Sequence, residues 1–329
     1  MDRRRRTRPP HRDFAPPLVT SPTFRLCTPA DREGVLALFH AAFPRLRFSR
    51  EWWNWFATGP TRTYLALFED GTVIGGAFSL IDYPQFQLSR EFAMKCALGA
   101  NLCLAPQYQR RARTGGVSHF HSLCAHVCAA ETARGTEGIL VVPNANSTGG
   151  LRAMGWTTYA DLQTWQKRPL AGLPGVSPAV QRVRAHALAK RGDYQKATQV
   201  IKDEAFTNWR LWNRPEAEYF SPQSDESFAW IGKRYIEPAL GEVRCHLMEF
   251  GVASTCEFER VLEAFEDAAA GANLANFWLA KGHGLEKTAV RRGFTPVSSR
   301  PLLMRALSAR MDERADANTF FSFADCDVY

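Results

Sequence analysis

The chain has no run approaching the ~18 uncharged apolar residues that a membrane-crossing helix needs, which argues against a helical span. Its eight cysteines show no paired spacing. They read as reduced thiols used as small apolar side chains in a cytosolic protein, not as a disulfide framework. The basic N-terminus has no apolar segment behind it and does not read as a secretory signal. Net charge is also scarce once the first dozen residues are set aside. The total is +8, but residues 1–12 carry six Arg against one Asp, a net +5, which leaves +3 for the other 317 residues. The body is nearly balanced, and the basicity belongs to an arm.

What is present is ordinary for a packed protein: 45% hydrophobic and 22% charged residues over 329 positions. Two domains are the expectation from length, and wholesale disorder or a fibrous class is excluded. Residues 1–22 read as a disordered Arg/Pro-rich arm. Residues 23–170 read as the first domain, 171–205 as a helical connector, 206–310 as a second, degenerate domain, and 311–329 as a C-terminal tail. The tail's Phe320, Phe321 and Phe323 suggest that it docks.

Alternation over residues 23–27 predicts a strand. Thr28, Pro29 and Asp31 predict a capped helix start, with Val35, Leu36 and Phe39 on its apolar face. Residues 64–68 and 73–80 predict a hairpin around Glu69-Asp70-Gly71. Residues 94–104 predict a long strand with a bulge at Gly99. A basic loop, a helix over 115–134, a short strand over 138–142, a turn and short helix over 143–155, and a strand over 162–167 follow. The result is a mixed α/β sheet of α+β type, with the last two strands parallel because a helix separates them.

Two landmarks repeat. Glu51-x-x-x-Trp55 recurs as Glu226-x-x-x-Trp230, and Arg152-Ala153-Met154-Gly155-Trp156 as Val290-Arg291-Arg292-Gly293-Phe294. The offsets are 175 and 138 residues, which suggests an internal duplication with a shorter second copy.

The chemistry concentrates in residues 100–156. A strand runs into Ala105-Pro106-Gln107-Tyr108, then Gln109 to Thr114, then a helix opening at Gly115-Gly116. Such a junction points backbone N–H groups and the positive end of a helix dipole at one place, a setting for phosphate. Arg110, Arg111 and Arg113 add charged donors.

These residues resemble the GNAT superfamily of CoA-dependent N-acyltransferases. The strand, the Gln109–Thr114 stretch and the helix look like its pyrophosphate-binding signature. Pro143-Asn144-Ala145-Asn146-Ser147 and Gly155-Trp156 look like its Pro-Asn-x-x-Ser…Gly-Phe ending. The resemblance covers about residues 23–170 and implies two GNAT-like domains, the second shorter and without the cofactor loop. It implies acetyl-CoA or another acyl-CoA as co-substrate, without a metal. It places the pantetheine arm along Asn101, Leu102, Cys103 and Leu104. It places the diphosphate on Gln109, Arg110, Arg111, Ala112, Arg113, Thr114, Gly115 and Gly116, and Asn144 and Ser147 near the thiol. Ala112 and Thr114 depart from the family's glycines, and their Cβ atoms restrict backbone approach to a phosphate. Leu151 stands where many members carry a Tyr acid.

Acyl transfer to an amine needs a proton acceptor and an oxyanion donor. Glu91, Asp82 and Tyr83 are the candidates for the first, and a backbone N–H near Leu102–Leu104 for the second. His121, Cys124 and Cys128 share a helix face, but no fourth ligand is spaced to complete a metal site. Trp52, Trp53, Trp55 and Trp230 read as core. The expected function is N-acylation of a small amine such as an amino sugar or specialised metabolite. A transferase that takes its acyl group from aminoacyl-tRNA, which the arginine arm would help bind, and a non-catalytic binding protein of the same fold are the alternatives.

Overall fold

The computed structural model describes residues 21–44, 46, 48–89, 92–109, 117–168, 199–215, 217–221, 229–237, 240–309, 319 and 321–326. The arm, and most of the connector and tail, lie outside the described residues.

The elements run β1 (Thr23–Leu26), α1 (Arg32–Ala42), α2 (Arg50–Ala57), β2 (Thr61–Phe68), β3 (Val73–Asp82), β4 (Gln85–Ser89), β5 (Phe92–Met94), β6 (Cys96–Leu104), α3 (Pro106–Gln109), α4 (His119–Ala133), β7 (Gly138–Val141), α5 (Ala145–Ala153) and β8 (Thr157–Lys167). They continue as β9 (Gln199–Ile201), α6 (Glu204–Thr207), β10 (Glu218–Phe220), β11 (Ala229–Glu237), β12 (Glu242–Gly251), α7 (Thr255–Ala268), β13 (Leu274–Ala280), α8 (Glu286–Arg291), β14 (Thr295–Ala306) and α9 (Phe323–Cys326).

Local chemistry sets the boundaries. Thr28 and Asp31 form the expected capping box ahead of α1, and Arg25 grips the same carboxylate at 2.6 and 2.7 Å. Those bonds, the Arg25 pair first, hold the Asp31 carboxyl well below the usual range. The Ser49 hydroxyl accepts from Trp52 N–H and starts α2. The hairpin turn carries three successive left-handed residues, Glu69, Asp70 and Gly71.

Eleven strands form one sheet in the order β1-β2-β3-β6-β7-β14-β8-β13-β12-β11-β10, and β5-β4-β9 form a small second sheet. The central feature is an exchange. β14, late in the chain, lies between β7 and β8 and is antiparallel to both; β8 in turn pairs antiparallel with β13. β7 and β8 therefore run in the same direction, as the intervening helix predicts, but they are not neighbours.

The two halves match around this exchange. β6–β7 and β12–β13 are the parallel pairs. The helices before β8 and β14 end alike: Gly155 (φ +81) donates to Arg152 O and Trp156 to Leu151 O, while Gly293 (φ +80) donates to Val290 O and Phe294 to Ala289 O. Both are left-handed glycine caps. The other repeated landmark is not structural. Trp55 is on α2 and Trp230 on β11, and Glu226 lies outside the described residues. The expected helical connector is likewise corrected at its end, where Gln199–Ile201 forms a strand paired with β4. The 115–134 helix begins only at His119.

Trp55 and Trp209 clamp the halves together. Their rings stack at 5.2 Å, and each indole N–H donates to the other's carbonyl, at 2.6 and 2.9 Å. Gly59 permits this, because a Cβ there would lie 1.9 Å from the Trp209 ring.

The C-terminal segment docks, as the aromatic tail suggests. Phe321 is buried, and Phe323 stacks on Trp278 at 4.3 Å. Tyr83 Oη donates to Asp325 O at 2.9 Å and Arg210 Nε to Ala324 O at 3.2 Å. Lys202 Nζ lies between Glu249 (2.5 Å) and Asp325 (2.6 Å), and the Ser322 hydroxyl donates to Glu249 at 2.8 Å. Burial pushes the Glu249 carboxyl up against the pull of Lys202.

A second buried network ties α4 to the sheet. Glu131, fully buried, accepts from Arg62 Nε (2.6 Å), Tyr64 Oη (2.5 Å) and Thr136 Oγ1 (2.6 Å). Burial alone would raise its pKa; the bonds from Arg62, Thr136 and Tyr64 outweigh that and hold it below the usual range. A lowered folded-state pKa contributes stability above the unfolded-state value, and that contribution is lost as pH falls through the folded-state value.

Glu131→Gln is expected to cost about 3 kcal/mol, the low end for breaking a buried ion pair, because Arg62 keeps Asp82 as a partner. Thermal melts from pH 7 to pH 4 should show a lower melting temperature at pH 7 and a smaller further loss on acidification than in the parent protein. Lys202→Met strands two buried carboxylates and is expected to cost a similar amount. Limited proteolysis read by mass spectrometry should then cut the chain between 309 and 326 before it cuts the body.

Candidate functional site

β6 and β7 are paired from Cys96↔Gly138 to Gly99↔Val141. There β7 ends, while β6 continues to Leu104. Among the described residues, β6 has no strand neighbour from Ala100 onward on the side away from β3. That edge of Ala100–Leu104, where the two strands part, is the candidate cleft.

The departure is marked by a bulge. In the β3–β6 ladder Ser79 faces Ala100 and Ala77 faces Cys103, so Asn101 and Leu102 together stand opposite Phe78. Asn101 is left-handed, with φ +47. The expected bulge at Gly99 is thus displaced by two residues. Gly99 has a different role: a Cβ there would lie 2.5 Å from Val141 and 2.7 Å from Phe78. Asn101 is only 7% exposed, and neither its Oδ1 nor its Nδ2 has a hydrogen-bond partner.

Beyond β6 the chain turns back tightly. Ala105 N–H donates to Gly75 O, and Gln109 Nε2 donates to Leu104 O at 2.8 Å. The Gln109 side chain therefore closes the strand end. Tyr108 stacks on Phe68 at 3.9 Å. Arg110, Arg111, Ala112, Arg113, Thr114, Gly115 and Gly116 lie outside the described residues. The chain re-enters at Val117, where Ser118 caps α4 by accepting from His121 N–H. His119, 2% exposed, packs edge-on against Phe68, and burial lowers its pKa.

Asn144 caps α5, its Oδ1 accepting from the N–H groups of Asn146 and Ser147 at 3.0 Å. The Ser147 hydroxyl turns back to Asn144. Leu151 is buried in α5. Leu102, Cys103 and Leu104 line the unpaired stretch of β6, and burial pushes the Cys103 thiol up to about 12, so it is not a nucleophile near neutral pH.

Of the proton-acceptor candidates, the two that are described are engaged with other groups of the protein. Glu91 lies outside the described residues. Asp82 faces Ala97, on the paired part of β6, and is bound to Arg62 at 2.5 Å. Tyr83 donates its hydroxyl to the Asp325 carbonyl. Among the described residues no His, Cys, Asp or Glu cluster could hold a metal ion, and no helix is long and apolar enough to cross a membrane. A separate cavity of about 410 Å³ lies beside α2 and β2, lined among others by Thr28, Trp53, Asn54 and Thr61, and by no residue of β6 or β7.

The second half has the matching cleft, already filled. β12 and β13 are paired from Arg244↔Leu274 to His246↔Asn276 and then part, and β12 is bulged at Met248. Phe323 sits there, 4.8 Å from His246, and Glu249 beyond it is held by Lys202 and Ser322. Only residues 252 and 253 separate β12 from the Ser254 cap of α7, against residues 105–117 in the first half. Nothing in the sequence beyond the aromatic tail points to this occupant, because its contacts join residues 45 or more positions apart.

No protein-family model and no curated protein matches the chain. Solved structures do. A GCN5-related N-acetyltransferase from Anabaena variabilis superposes with a TM-score of 0.62 at 12% identity, over 87% of this chain and 73% of that one. A GCN5-related N-acetyltransferase from Kribbella flavida gives 0.59 at 16%, over 87% and 71%. Eis1 from Mycobacterium abscessus gives 0.55 at 11%, over 87% and 73%. The chain has the mixed α/β fold of the GCN5-related N-acetyltransferases, the GNAT fold, with two such halves joined in one sheet.

Proposed function

We propose that the protein is an acyl-CoA-dependent N-acyltransferase, with acetyl-CoA as the default donor and a small amine as the acceptor. The observation that carries this reading is the place where β6 leaves β7, bulged at Asn101, with the edge of Ala100–Leu104 away from β3 left without a strand among the described residues. An extended amide-containing chain can add to such an edge through main-chain hydrogen bonds. The fold supports the reading.

In this reading the donor's pantetheine arm runs along Asn101–Leu104, and its diphosphate meets the loop from Arg110 to Gly116. Gln109 positions the start of that loop by holding Leu104 O. Asn144 and Ser147 shape the first turn of α5 through their mutual bonds. The amine attacks the thioester carbon, the C–N bond forms, the C–S bond breaks, and the departing sulfur takes the proton that nitrogen sheds. Holding both reactants together supplies much of the rate. No described carboxylate in the cleft acts as base; water relays the proton.

Differential thermal unfolding tests the reading. Acetyl-CoA at about 100 times its Kd should stabilise the protein by about 2.7 kcal/mol. Arg110→Ala combined with Arg111→Ala should remove the shift without lowering the melting temperature of the free protein. No shift with any acyl-CoA overturns the reading.

A further inference from the structure

The two halves differ where their parallel strands part. In the second half the residue two past the last β12–β13 pair is the apolar Met248, and the Glu249 carboxylate beside it is bound by Lys202 and Ser322. In the first half the bulge of β6 presents Asn101, buried to the same degree, with both amide atoms unmatched. Buried polar atoms without partners are rare and costly, about 1–3 kcal/mol each. The backbone alone does not require this residue. Asn tolerates the left-handed region, but Gly does so at no steric cost and with nothing to leave unpaired.

Resting on the acyl-transfer reading, we infer that the Asn101 carboxamide is the group that receives the acyl carbonyl: Nδ2 donates to the thioester oxygen, and the bond tightens as that oxygen becomes negative. Asn101 is then a catalytic residue, additional to any backbone donor of the bulge. As the amine's lone pair forms the C–N bond, the carbonyl π pair moves to oxygen opposite Nδ2. The pair returns, the C–S bond breaks, and the thiolate takes the nitrogen's proton. A donor fixed in place before the charge develops needs no reorganisation during the step. Its place at the mouth of the cleft, two residues past the last β6–β7 pair, puts it where an acyl group entering between the strands would arrive.

The test needs no acceptor. Isothermal titration calorimetry on the full-length protein compares acetyl-CoA, which carries the carbonyl, with CoA, which does not. The wild type should bind acetyl-CoA about tenfold tighter than CoA, the scale of one hydrogen bond to an otherwise unpaired group. Asn101→Gly keeps the backbone conformation and removes the carboxamide. It should bind acetyl-CoA and CoA equally, whatever its affinity for CoA. Asn101→Asp keeps the shape, loses the donor, and should also lose the preference; it decides the matter if the glycine variant does not fold. A preference that survives both changes, or a wild type that binds the two ligands equally, overturns the inference and leaves the acyl-transfer reading standing. A wild type that binds neither ligand overturns both.

Discussion

The exchange of β14 into the space between β7 and β8 is the constraint on which the architecture rests. β7 is four residues long and pairs fully on both sides, with β6 at Gly138–Val141 and with β14 at Ala306–Leu303. β14 pairs with β8 along its other edge from Thr295 to Met304, so only the stretch from Leu303 to Ala306 is shared with β7. β7 therefore leaves β6 and β14 at the same residue, Val141. Because β8 and β14 swap roles between the halves, the same geometry arises twice.

One cleft is kept and the other is closed. Closing the second required a buried charge cluster, two aromatic anchors and a segment brought from the chain's end. That is a large commitment of interactions, since buried ion pairs contribute little net stability over apolar packing and are costly when one partner is lost. The same C-terminal helix also contacts β6, but the first cleft shows no ion pair like that of Lys202 and Glu249 along Ala100–Leu104 among the described residues. Its polar edge and its unmatched carboxamide are features a packed core avoids.

Much of this was legible in the sequence. The hairpin, the capping box at Thr28 and Asp31, and the Gly155 and Gly293 helix ends depend on neighbours within six residues, so pattern and chemistry identify them. The direction of β7 relative to β8 was also legible, but the strand between them was not. Sheet order is decided by long-range pairing, and β14 lies more than 150 residues from β7. The bulge shows the same limit. Gly99 looked like the break because glycine weakens strands, yet its missing Cβ serves close packing on Val141 and Phe78, and the left-handed position fell to Asn101. The Glu-x-x-x-Trp repeat misled because a tryptophan suits a helix face and a strand face equally well. Asp82 and Tyr83 were picked out by chain position, and their partners, Arg62 and the carbonyl of Asp325, appear only in three dimensions.

The closed cleft also bears on the open one. Tyr83 takes part in both: its backbone N–H donates to Cys96 O at the first residue of β6, and its hydroxyl holds the segment that fills the second half. Cys96 is also where the β6–β7 register begins. A displacement of the C-terminal segment would therefore be felt at the paired base of the first cleft through one rigid side chain, three pairs before the strands part. Packed interfaces of this kind hold one arrangement or another and do not deform smoothly. The second half thus supports the first at the root of the cleft, which gives a physical reason for keeping a half whose own cleft is closed.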